Sequence, residues 1–557
     1  MSDTIWLNHY PPGVSAEITA SNETLVSMFD HASQKYQHKP ALSCHDHTLN
    51  FSEVNHYANR FATYCYGQLG LRKGDHVAIM LPNILQFPIV VFGLLKIGCV
   101  FISINPLYTG TEVKHILENS QAKAAIVLSY FAHHIEAAMA TLPHLQYAMV
   151  TDIADCYAFV KRQVIHFIAK YIKGMKSSYT KTKFYQFSNA IHYNMNSNLP
   201  DIAVTPYDIA CLQYSSGTTG TPKGTILLHR NIVANIHQIW QWVSPTMALE
   251  KQVIIGALPL YHIFALTANL FTFYFTGSKQ VLIPNPRDIN FLIKTLQKNP
   301  FTVFNSLNTL YAALLGNKKF QQSQFEHFKF SLSGGMSTTQ KIADEWKKTT
   351  GVTIKEAYGL SEMSPAVTIN RLDGDEFNTT VGYPLPSTLV SIRDLKGNVL
   401  STDQKGEIWV KGPQQSPGFW QMDQVTKEHF TADGWLKTGD IGFLDKMGRL
   451  SISGRCKNML IVSGFNVFPK EVENVILKIP KVKDVAVIGV PSQHSGEKPR
   501  AFVVLQKDAA LTADEITEFC YTELAHYKVP KDIVFLDEIP KNTVGKIMKE
   551  QLKVEYG

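Results

Sequence analysis

Short apolar runs alternate with longer stretches in which apolar residues recur at helical spacing through most of the chain. The short runs have the length of single buried strands. Because strands that alternate with helices build layered structures, the pattern predicts two α/β subdomains, at residues 24–200 and 205–380. The predicted strands include Val77–Leu81, Ala124–Leu128, Gln280–Ile283 and Thr302–Phe304.

The pattern changes after residue 380. Residues 381–453 carry short apolar runs between turns rich in glycine and aspartate, and they predict a small β-subdomain. Residues 458–557 predict strand, helix, strand, strand and helix, which is typical of a compact α+β domain. A chain of 557 residues is too long for one core, so we expect α/β architecture in a large N-terminal domain, 1–454, followed by this small domain.

The longest apolar stretch, Phe87–Ile104, contains Lys96 and Gly98 and predicts a helix followed by a strand, not a membrane span. The N-terminus lacks the basic start and apolar run of a signal peptide. Seven scattered cysteines without a C-x-x-C pair indicate reduced thiols. We therefore expect a cytoplasmic protein without a transition-metal cluster.

Charge is concentrated in one segment. Between Cys156 and Pro200 there is no acidic residue, and the seven basic residues there equal the net charge of +7. Apolar residues recur at helical spacing along the same segment, which predicts a basic amphipathic helix within 157–184. Such a helix favours peripheral contact with the anionic inner face of a membrane, although a solvated helix packed on the body remains open. The basic residues are not interleaved with a stacking platform, so nucleic acid is not expected.

Residues 214–224, Tyr-Ser-Ser-Gly-Thr-Thr-Gly-Thr-Pro-Lys-Gly, combine hydroxyl side chains with three glycines and a lysine. Glycines let the backbone approach an oxyanion, and hydroxyls, N–H groups and a lysine then donate to it. The segment is not a Walker A loop, because Pro222 stands where that motif needs its second glycine. Apolar runs on both sides, Ile209–Tyr214 and Thr225–His229, predict a phosphate-holding loop between two strands.

This loop resembles the AMP-binding signature of the adenylate-forming superfamily, and the further motifs follow in the expected order. They are Leu258–Leu266, Ser333–Met336, Tyr358–Glu362, Asp433–Asp440, Gly454–Asn458 and Pro540–Lys546. The resemblance covers essentially the whole chain and is greatest to bacterial long-chain fatty acid–CoA ligases. It implies a small C-terminal domain that moves about a hinge at 455–457, with Lys457 as the hinge residue.

The resemblance also implies a binding site for ATP and Mg²⁺. In it the ring of Tyr358 lies against adenine, Ser361 contacts the α-phosphate, Asp440 accepts from the ribose hydroxyls, and Glu362 with Thr218 holds the metal. The residues assigned to the nucleotide are Tyr214, Ser215, Ser216, Gly217, Thr218, Thr219, Gly220, Thr221, Pro222, Lys223, Gly224, Gly334, Gly335, Tyr358, Gly359, Ser361, Asp440 and Arg455.

The remaining roles concern the acid and CoA. Lys546, which follows Gly545, matches the catalytic lysine of the family, and a fixed ammonium there suits the negative charge that builds up when a carboxylate attacks a phosphate. His262 matches a catalytic histidine beside the acyl site. The resemblance assigns CoA binding to Ser463, Gly464 and Phe465, and we expect the acyl tunnel to involve Trp240, Phe264 and Leu266.

The implied reaction joins a long-chain fatty acid to CoA through an acyl-adenylate. A medium-chain or aryl acid ligase would share every nucleotide motif and differ only in the acyl tunnel. A peptide-synthetase module would add a carrier domain, and no motif here argues for a luciferase-like oxygenase. A catalytically silent, membrane-associated lipid-binding protein is the alternative from another class, and the sequence leaves a homodimer open.

Overall fold

The computed structural model describes residues 4–157, 179–193, 199–215, 222–394, 396–462, 465–492, 496–542, 545 and 547–556. By contact density it divides into two units. The larger unit is Leu7–Leu389 with Lys411–Ala432, and the smaller unit is Met1–Trp6, Val390–Val410 and Asp433–Gly557. The predicted domain boundary at residue 454 falls inside the smaller unit and stays a prediction.

The strands of the larger unit are β1 Pro40–Cys44, β2 His47–Asn50, β3 His76–Met80, β4 Val100–Ser103, β5 Ala124–Leu128, β6 Tyr147–Thr151, β7 Tyr185–Gln186, β8 Ile209–Ser215, β9 Lys223–Leu228, β10 Val253–Gly256, β11 Lys279–Leu282, β12 Ser331–Gly334, β13 Ile354–Gly359, β14 Ala366–Ile369 and β15 Tyr383–Pro384. Its helices are α1 Leu25–Lys35, α2 Phe51–Gly67, α3 Gln86–Lys96, α4 Gly110–Ser120, α5 Ala132–Met139, α6 Phe187–Ile191, α7 His229–Val243, α8 Thr272–Tyr274, α9 Ile289–Lys298, α10 Asn308–Leu315, α11 Lys318–Gln321, α12 Gln340–Thr350 and α13 Asp423–His429. A π-helix spans Phe264–Phe271.

Seven strands form the main sheet of the larger unit in the order β7-β6-β5-β3-β4-β8-β9. All neighbours pair in parallel except β9, which is antiparallel to β8 at one edge. Alternate residues of β3 point to opposite faces, so that Val77 and Ile79 join one apolar core while Ala78 and Met80 join the other. Helices α1–α3 contribute to the first core and α4–α5 to the second, which confirms the predicted α/β layers.

Two four-stranded sheets complete this unit, in the orders β10-β11-β1-β2 and β12-β13-β14-β15. The predicted strand Thr302–Phe304 is wrong as a regular strand, because only Val303 forms isolated bridges there, to Ile254 and Phe330. Those bridges still place the segment between the two sheets. The stretch Phe87–Ile104 is helix α3 followed by strand β4, as predicted.

The strands of the smaller unit are β16 Leu389–Arg393, β17 Gly406–Lys411, β18 Leu436–Leu444, β19 Leu450–Arg455, β20 Leu460–Val462, β21 Phe465–Val467, β22 Val482–Ser492, β23 Gly496–Leu505 and β24 Asp532–Phe535, and its helices are α14 Pro469–Ile476, α15 Ala513–Glu523 and α16 Lys549–Tyr556. Strands β16–β19 form one sheet in chain order, and β21-β20-β23-β22 form another, which β24 joins by pairing with β23. The prediction missed β24, α16 and the division of the first strand into a β20–β21 hairpin.

No helix among the described residues is long and apolar enough to cross a membrane. The predicted basic helix within 157–184 falls almost entirely outside the described residues. At its described ends, Tyr157 is buried and Lys181–Lys183 form a 3₁₀ turn.

Candidate active site

The predicted phosphate loop connects two antiparallel neighbours in the main sheet. Strands β8 and β9 pair so that Ser215 lies opposite Lys223, and the residues between them must therefore reverse the chain. Residues 216–221, which carry most of the predicted phosphate contacts, lie outside the described residues. The structure thus fixes where the loop begins and ends, and it places Lys223 at the loop's exit.

Tyr214 and Gly224 lie opposite each other at the base of this hairpin. A Cβ at position 224 would lie 2.9 Å from the Tyr214 ring, so the ring covers the backbone of Gly224. The Tyr214 hydroxyl donates to Asn119 Oδ1 at 2.5 Å, and burial raises the pKa of this hydroxyl well above its usual range. Tyr214 is only 6 % exposed, so its side chain packs beneath the base of the hairpin and supports both ends of the loop.

The outer edge of β9 is covered by residues 416–420 of the same unit. Ile226 N donates to Gly418 O at 3.0 Å, and Trp420 N donates to Gly224 O at 2.8 Å. The Lys223 ammonium lies 5.5 Å from the centroid of the Phe419 ring. These contacts leave β9 without an open edge along this stretch and hold the exit of the loop in place.

The predicted metal-binding segment packs against the strand that leaves the phosphate loop. Strand β13 ends at Gly359, and a 3₁₀ turn, Ser361–Met363, follows and contacts β9. A Cβ at position 359 would lie 2.3 Å from Pro365 O, so only glycine fits there. Tyr358, Ser361 and Glu362 are all partly exposed.

Ser416 ties this turn to β9 directly. Its backbone N donates to Glu362 O at 2.8 Å, and its hydroxyl donates to Ile226 O at 2.7 Å. The carboxylate of Glu362 is therefore carried by a turn whose backbone is fixed to the strand beyond Lys223. Sequence reasoning missed Ser416 and Asn119, because neither lies in a recognisable motif and both act through residues distant in the chain.

The predicted adenine segment lies beside this turn. Strands β12 and β13 are parallel neighbours, with Gly334 opposite Ala357, so their carboxyl ends meet at one edge of the sheet. A Cβ at position 334 would lie 3.2 Å from the ring of Phe264, and Gly335 has φ +80°, which favours glycine. The fold thus brings Ser333–Met336 and Tyr358–Glu362 together, with Phe264 of the predicted acyl wall against the first of them.

His262 is exposed at the start of the π-helix segment. Its Nδ1 accepts a hydrogen bond from Phe264 N at 3.3 Å, which requires that this nitrogen carry no proton. In a neutral ring that makes this bond the proton is on Nε2, which can then donate a hydrogen bond. The structure leaves the predicted catalytic role of His262 untested.

The other two residues predicted for the acyl tunnel are Leu266 and Trp240. Leu266 is fully buried in the apolar core. Trp240 donates from Nε1 to Thr272 O at 2.7 Å. It also lines a cleft of about 580 Å³ whose other walls are largely polar, including Glu23, His237 and Gln241. Acyl contact by Leu266 or Trp240 therefore stays a prediction.

In the smaller unit, Asp440 and Arg455 are brought together by sheet pairing. They lie opposite each other on β18 and β19, and Arg455 Nε is 2.8 Å from Asp440 Oδ1. Asp440 is only 4 % exposed, and its backbone N donates to Thr438 Oγ1 at 3.1 Å. Two residues that the sequence assigned to one nucleotide thus form one ion pair.

The C-terminal motifs are described only at their ends. Lys546 lies outside the described residues, although a bridge between Lys541 and Ile547 closes the loop around it. Gly545 has φ +80°, and its N donates to Asn542 O at 2.9 Å.

The CoA residues Ser463 and Gly464 also lie outside the described residues, and Phe465 is placed only as part of β21. Lys457 is exposed on a 3₁₀ turn that follows β19, at the end of the strand that carries Arg455. Within the described ranges, no three His, Cys, Asp or Glu side chains are grouped so as to hold a metal.

The chain resembles known proteins over nearly its whole length. Residues 29–420 match the family model described as AMP-binding enzyme, and residues 471–546 match the AMP-binding enzyme C-terminal domain. A long-chain-fatty-acid–CoA ligase of Escherichia coli O6:H1 is 42 % identical over 99 % of this chain and 98 % of its own length. One of Haemophilus influenzae is 37 % identical with the same coverage.

Among solved structures, an anthranilate CoA ligase in complex with anthranoyl-AMP superposes with a TM-score of 0.84 at 26 % identity, covering 97 % of this chain and 98 % of that one. ATP-bound MatB from Rhodopseudomonas palustris superposes with a TM-score of 0.82 at 27 % identity, covering 96 % and 99 %. Family models match both parts of the chain and relatives match nearly all of it, so the chain belongs to the family of AMP-binding enzymes.

Proposed function

We propose that the protein is an ATP-dependent long-chain fatty acid–CoA ligase. The fatty carboxylate attacks the α-phosphate of ATP to give acyl-adenylate and pyrophosphate, and the CoA thiol then displaces AMP to give the thioester. The observation that carries this proposal is the 42 % identity, over 99 % of the chain, to a ligase named for that reaction. The contacts within the candidate active site give physical support for the same reaction.

The larger unit supports binding of the triphosphate. The β8–β9 hairpin carries the loop of hydroxyl, glycine and lysine residues, and it presents Lys223 at the loop's exit. Residues 416–420 cover the free edge of β9, so the loop has a rigid base on which to hold anions. We propose that Ser361, on the turn that packs against β9, contacts the α-phosphate.

The residues present fit Mg²⁺. Mg²⁺ usually binds one or two protein oxygens together with substrate phosphates and water, and it neutralises charge on those phosphates when bound. Glu362 offers a partly exposed carboxylate on a turn fixed to β9. We propose that Glu362, with the hydroxyl of Thr218, is the protein's contribution to that site.

The pair Asp440–Arg455 suits the ribose. A buried carboxylate bonded on one oxygen by an arginine keeps its orientation, and it can accept hydrogen bonds from neighbouring hydroxyls. The Arg455 guanidinium adds a positive charge beside the Asp440 carboxylate. We propose that Asp440 binds the ribose hydroxyls and that Arg455 supports it and contacts phosphate.

Lys546 is proposed as the residue that stabilises negative charge during adenylation. The loop that carries Lys546 is closed at its base by the Lys541–Ile547 bridge. Lys457 is proposed as the hinge about which the C-terminal domain moves. Ser463, Gly464 and Phe465 would then contact CoA, and His262 would lie beside the reacting acid. Lys546→Ala should reduce pyrophosphate release about 100-fold or more and should affect thioester formation from supplied acyl-adenylate far less.

The reaction requires no nucleophilic side chain, because adenylation itself gives the carboxylate a good leaving group. The cysteines fit this view. All are buried except Cys456, which is half-buried, and burial raises the pKa of the Cys65, Cys99 and Cys211 thiols well above their usual range. Thiols that stay protonated are poor nucleophiles.

Acid-dependent pyrophosphate release tests the function and its alternatives. Acids of increasing chain length, and aromatic acids, are supplied with and without CoA. Palmitate should give the highest kcat/KM, and CoA should be required only for turnover beyond the adenylate. Higher activity with medium-chain or aryl acids would show that one of these, and not a long-chain fatty acid, is the substrate class. No pyrophosphate release with any acid would favour a silent lipid-binding protein.

We also propose peripheral contact with anionic membranes through residues 157–184, on the cytoplasmic face. Both ends of this segment are fixed on the larger unit. Tyr157 donates to Cys44 O at 2.8 Å, and Lys183 lies 3.2 Å from Glu136. Replacing Lys170, Lys173 and Lys176 by glutamine should weaken sedimentation with phosphatidylglycerol vesicles while activity on soluble acids persists.

Unchanged sedimentation in that triple variant would contradict the membrane proposal. Neutral phosphatidylcholine vesicles provide the control, because they present the same apolar interior without the negative surface. Light scattering of the purified protein tests whether two copies associate as a homodimer.

A further inference from the structure

Strand β18 of the smaller unit carries a bulge that contains Asp440, the residue proposed to bind ribose. Residues 438–440 lie opposite the single residue Ile408 of β17, and regular pairing resumes at Ile441 opposite Glu407 and at Lys437 opposite Trp409. We call residues 438–440 the Asp440 bulge. Gly439 within it has φ +69°, a left-handed conformation that favours glycine. Bulges bend a strand and re-aim a side chain, and they are frequent beside active sites.

Side chains satisfy the backbone donors of the Asp440 bulge. Gly439 N donates to Glu407 Oε1 at 3.2 Å, and Asp440 N donates to Thr438 Oγ1 at 3.1 Å. Thr438 Oγ1 in turn donates to Ile408 O at 2.7 Å. Because a bulge interrupts the hydrogen bonds between two strands, these contacts take their place. Glu407 thereby ties the bulge to the neighbouring strand β17 through its side chain.

The Glu407 carboxylate accepts hydrogen bonds on both oxygens. Trp409 Nε1 donates to Glu407 Oε2 at 2.9 Å, while Oε1 accepts from Gly439 N. Trp409 is only 8 % exposed, and the guanidinium carbon of Arg393 lies 4.3 Å from the centroid of its ring. Hydrogen bonds to an ionised carboxylate are stronger than those between neutral groups. The position of Glu407 therefore fixes the position of Gly439, the residue before Asp440.

Asp440 is held from its other neighbouring strand as well. Arg455 on β19 lies opposite Asp440, and its Nε is 2.8 Å from Asp440 Oδ1. The pKa of the Cys456 thiol is raised to about 11, mainly by burial and then by the negative charges of Glu407 and Asp440, so both carboxylates lie near this thiol. Asp440 is thus oriented through one residue on each adjoining strand.

We propose that Glu407 is a positioning residue that aims the Asp440 carboxylate at the ribose hydroxyls and thereby sets a preference for ATP over deoxynucleotides. This inference rests on the proposed function, in which Asp440 binds those hydroxyls. Glu407 acts through the backbone of Gly439 and not through contact with the substrate. Hydrogen bonds weaken steeply when their geometry is lost, so a shift of the Asp440 bulge would weaken the bonds to ribose.

The expected effect is specific to the sugar. ATP offers Asp440 the 2′- and 3′-hydroxyls, whereas 2′-deoxy-ATP and 3′-deoxy-ATP each lack one of them. A site built to hydrogen-bond a hydroxyl discriminates against an analogue without it, and we expect the wild type to favour ATP about tenfold in kcat/KM. Glu407→Ala should lower this ratio to about twofold or less, because ATP then loses bonds that a deoxynucleotide already lacks in part.

The test measures pyrophosphate release by the full-length enzyme with palmitate and each of the three nucleotides. The readout is the ratio of kcat/KM for ATP to that for each deoxynucleotide in the wild type, Glu407→Ala and Glu407→Gln. Glutamine keeps one oxygen that can accept from Gly439 N, but its NH₂ group cannot accept from Trp409 Nε1. The ratios of Glu407→Gln should therefore lie between those of the wild type and Glu407→Ala. In both variants the KM for ATP should rise more than kcat falls, because a binding contact is weakened.

A double-mutant comparison tests whether Glu407 acts through Asp440. Asp440→Ala should by itself remove the preference for ATP, and adding Glu407→Ala should change the ratios no further. The matched control is Asp445→Ala, at the turn between β18 and β19. The Asp445 carboxylate also holds backbone groups, since it accepts from Met447 N and Arg449 N at 2.9 Å each. Asp445→Ala should lower thermal stability and leave both ratios as in the wild type.

The proposal is overturned if Glu407→Ala keeps both ratios at the wild-type value, or if Asp445→Ala lowers them to the same extent. The second result would mean that any loosening of this sheet suffices. Should Glu407→Ala fail to fold, the same criteria apply to Glu407→Gln. Failure of the proposed function is distinct, because then the wild type would release no pyrophosphate with any acid, or would use ATP and both deoxynucleotides equally.

Discussion

His229 makes the stability of the larger unit depend on pH. It is 1 % exposed at the start of α7, directly after the strand that leaves the phosphate loop, and its Nδ1 accepts from Leu25 N at 3.2 Å. Burial lowers its pKa from 6.5 to about 4. Nearby Asp208 raises this pKa and Lys73 lowers it. Because Asp208 and Lys73 form an ion pair at 2.7 Å, their opposite effects on His229 offset each other, and burial is the main cause of the lowered pKa.

The sign of the effect follows from linkage. The folded state holds His229 neutral, whereas the unfolded chain protonates it near pH 6.5, so the folded state loses stability as pH falls from 6.5 toward 4. With these two pKa values the loss is about 2 kcal/mol at pH 5 and close to zero at pH 7.5. Protonation also removes the acceptor that Leu25 N uses.

The assay compares wild type with His229→Gln by urea unfolding at pH 7.5 and pH 5.0, followed by tryptophan fluorescence. The glutamine carbonyl can still accept from Leu25 N but does not titrate. The free-energy difference between the two proteins should therefore shift by about 2 kcal/mol in favour of the variant at pH 5.0. His192→Gln, at an exposed histidine, serves as the control. A difference that stays constant between the two pH values would refute the reasoning.

Three further predictions concern the site and its supports. Gly359→Ala should destabilise the larger unit by about 2 kcal/mol or more and raise the KM for ATP, because its Cβ would lie 2.3 Å from Pro365 O; an unchanged thermal midpoint would contradict this. Glu473→Gln should weaken the packing of α16 by about 3 kcal/mol, because buried Glu473 Oε1 lies 2.5 Å from Lys549 Nζ. Limited proteolysis should then cleave after residue 540 earlier than in the wild type, and an unaltered cleavage pattern would oppose the prediction. Gly224→Ala should slow pyrophosphate release by displacing the Tyr214 ring, and Tyr214→Phe should slow it less. Equal rates in the wild type and both variants would show that the Tyr214 ring does not support the loop.

Much of the architecture could be predicted because its signals are local. The runs Val77–Leu81 and Ala124–Leu128 are apolar on both faces, and such runs form the buried parallel strands β3 and β5. The strand Thr302–Phe304 could not be predicted correctly, because its partners lie in two different sheets and only single residues pair. The final strand and helix were missed, since β24 is half-exposed and α16 is short and weakly apolar.

The sequence by itself determined the chemistry that the loop 214–224, Tyr358–Glu362 and the other motifs can perform, since residue type and spacing decide which groups can donate, accept or carry charge. Only the tertiary structure decided how these segments meet: Ser416 fixes the Glu362 turn to β9, and sheet pairing places Arg455 against Asp440. The physical reason is that hydrogen bonds and burial depend on distances in space, which long-range pairing sets and spacing along a chain does not.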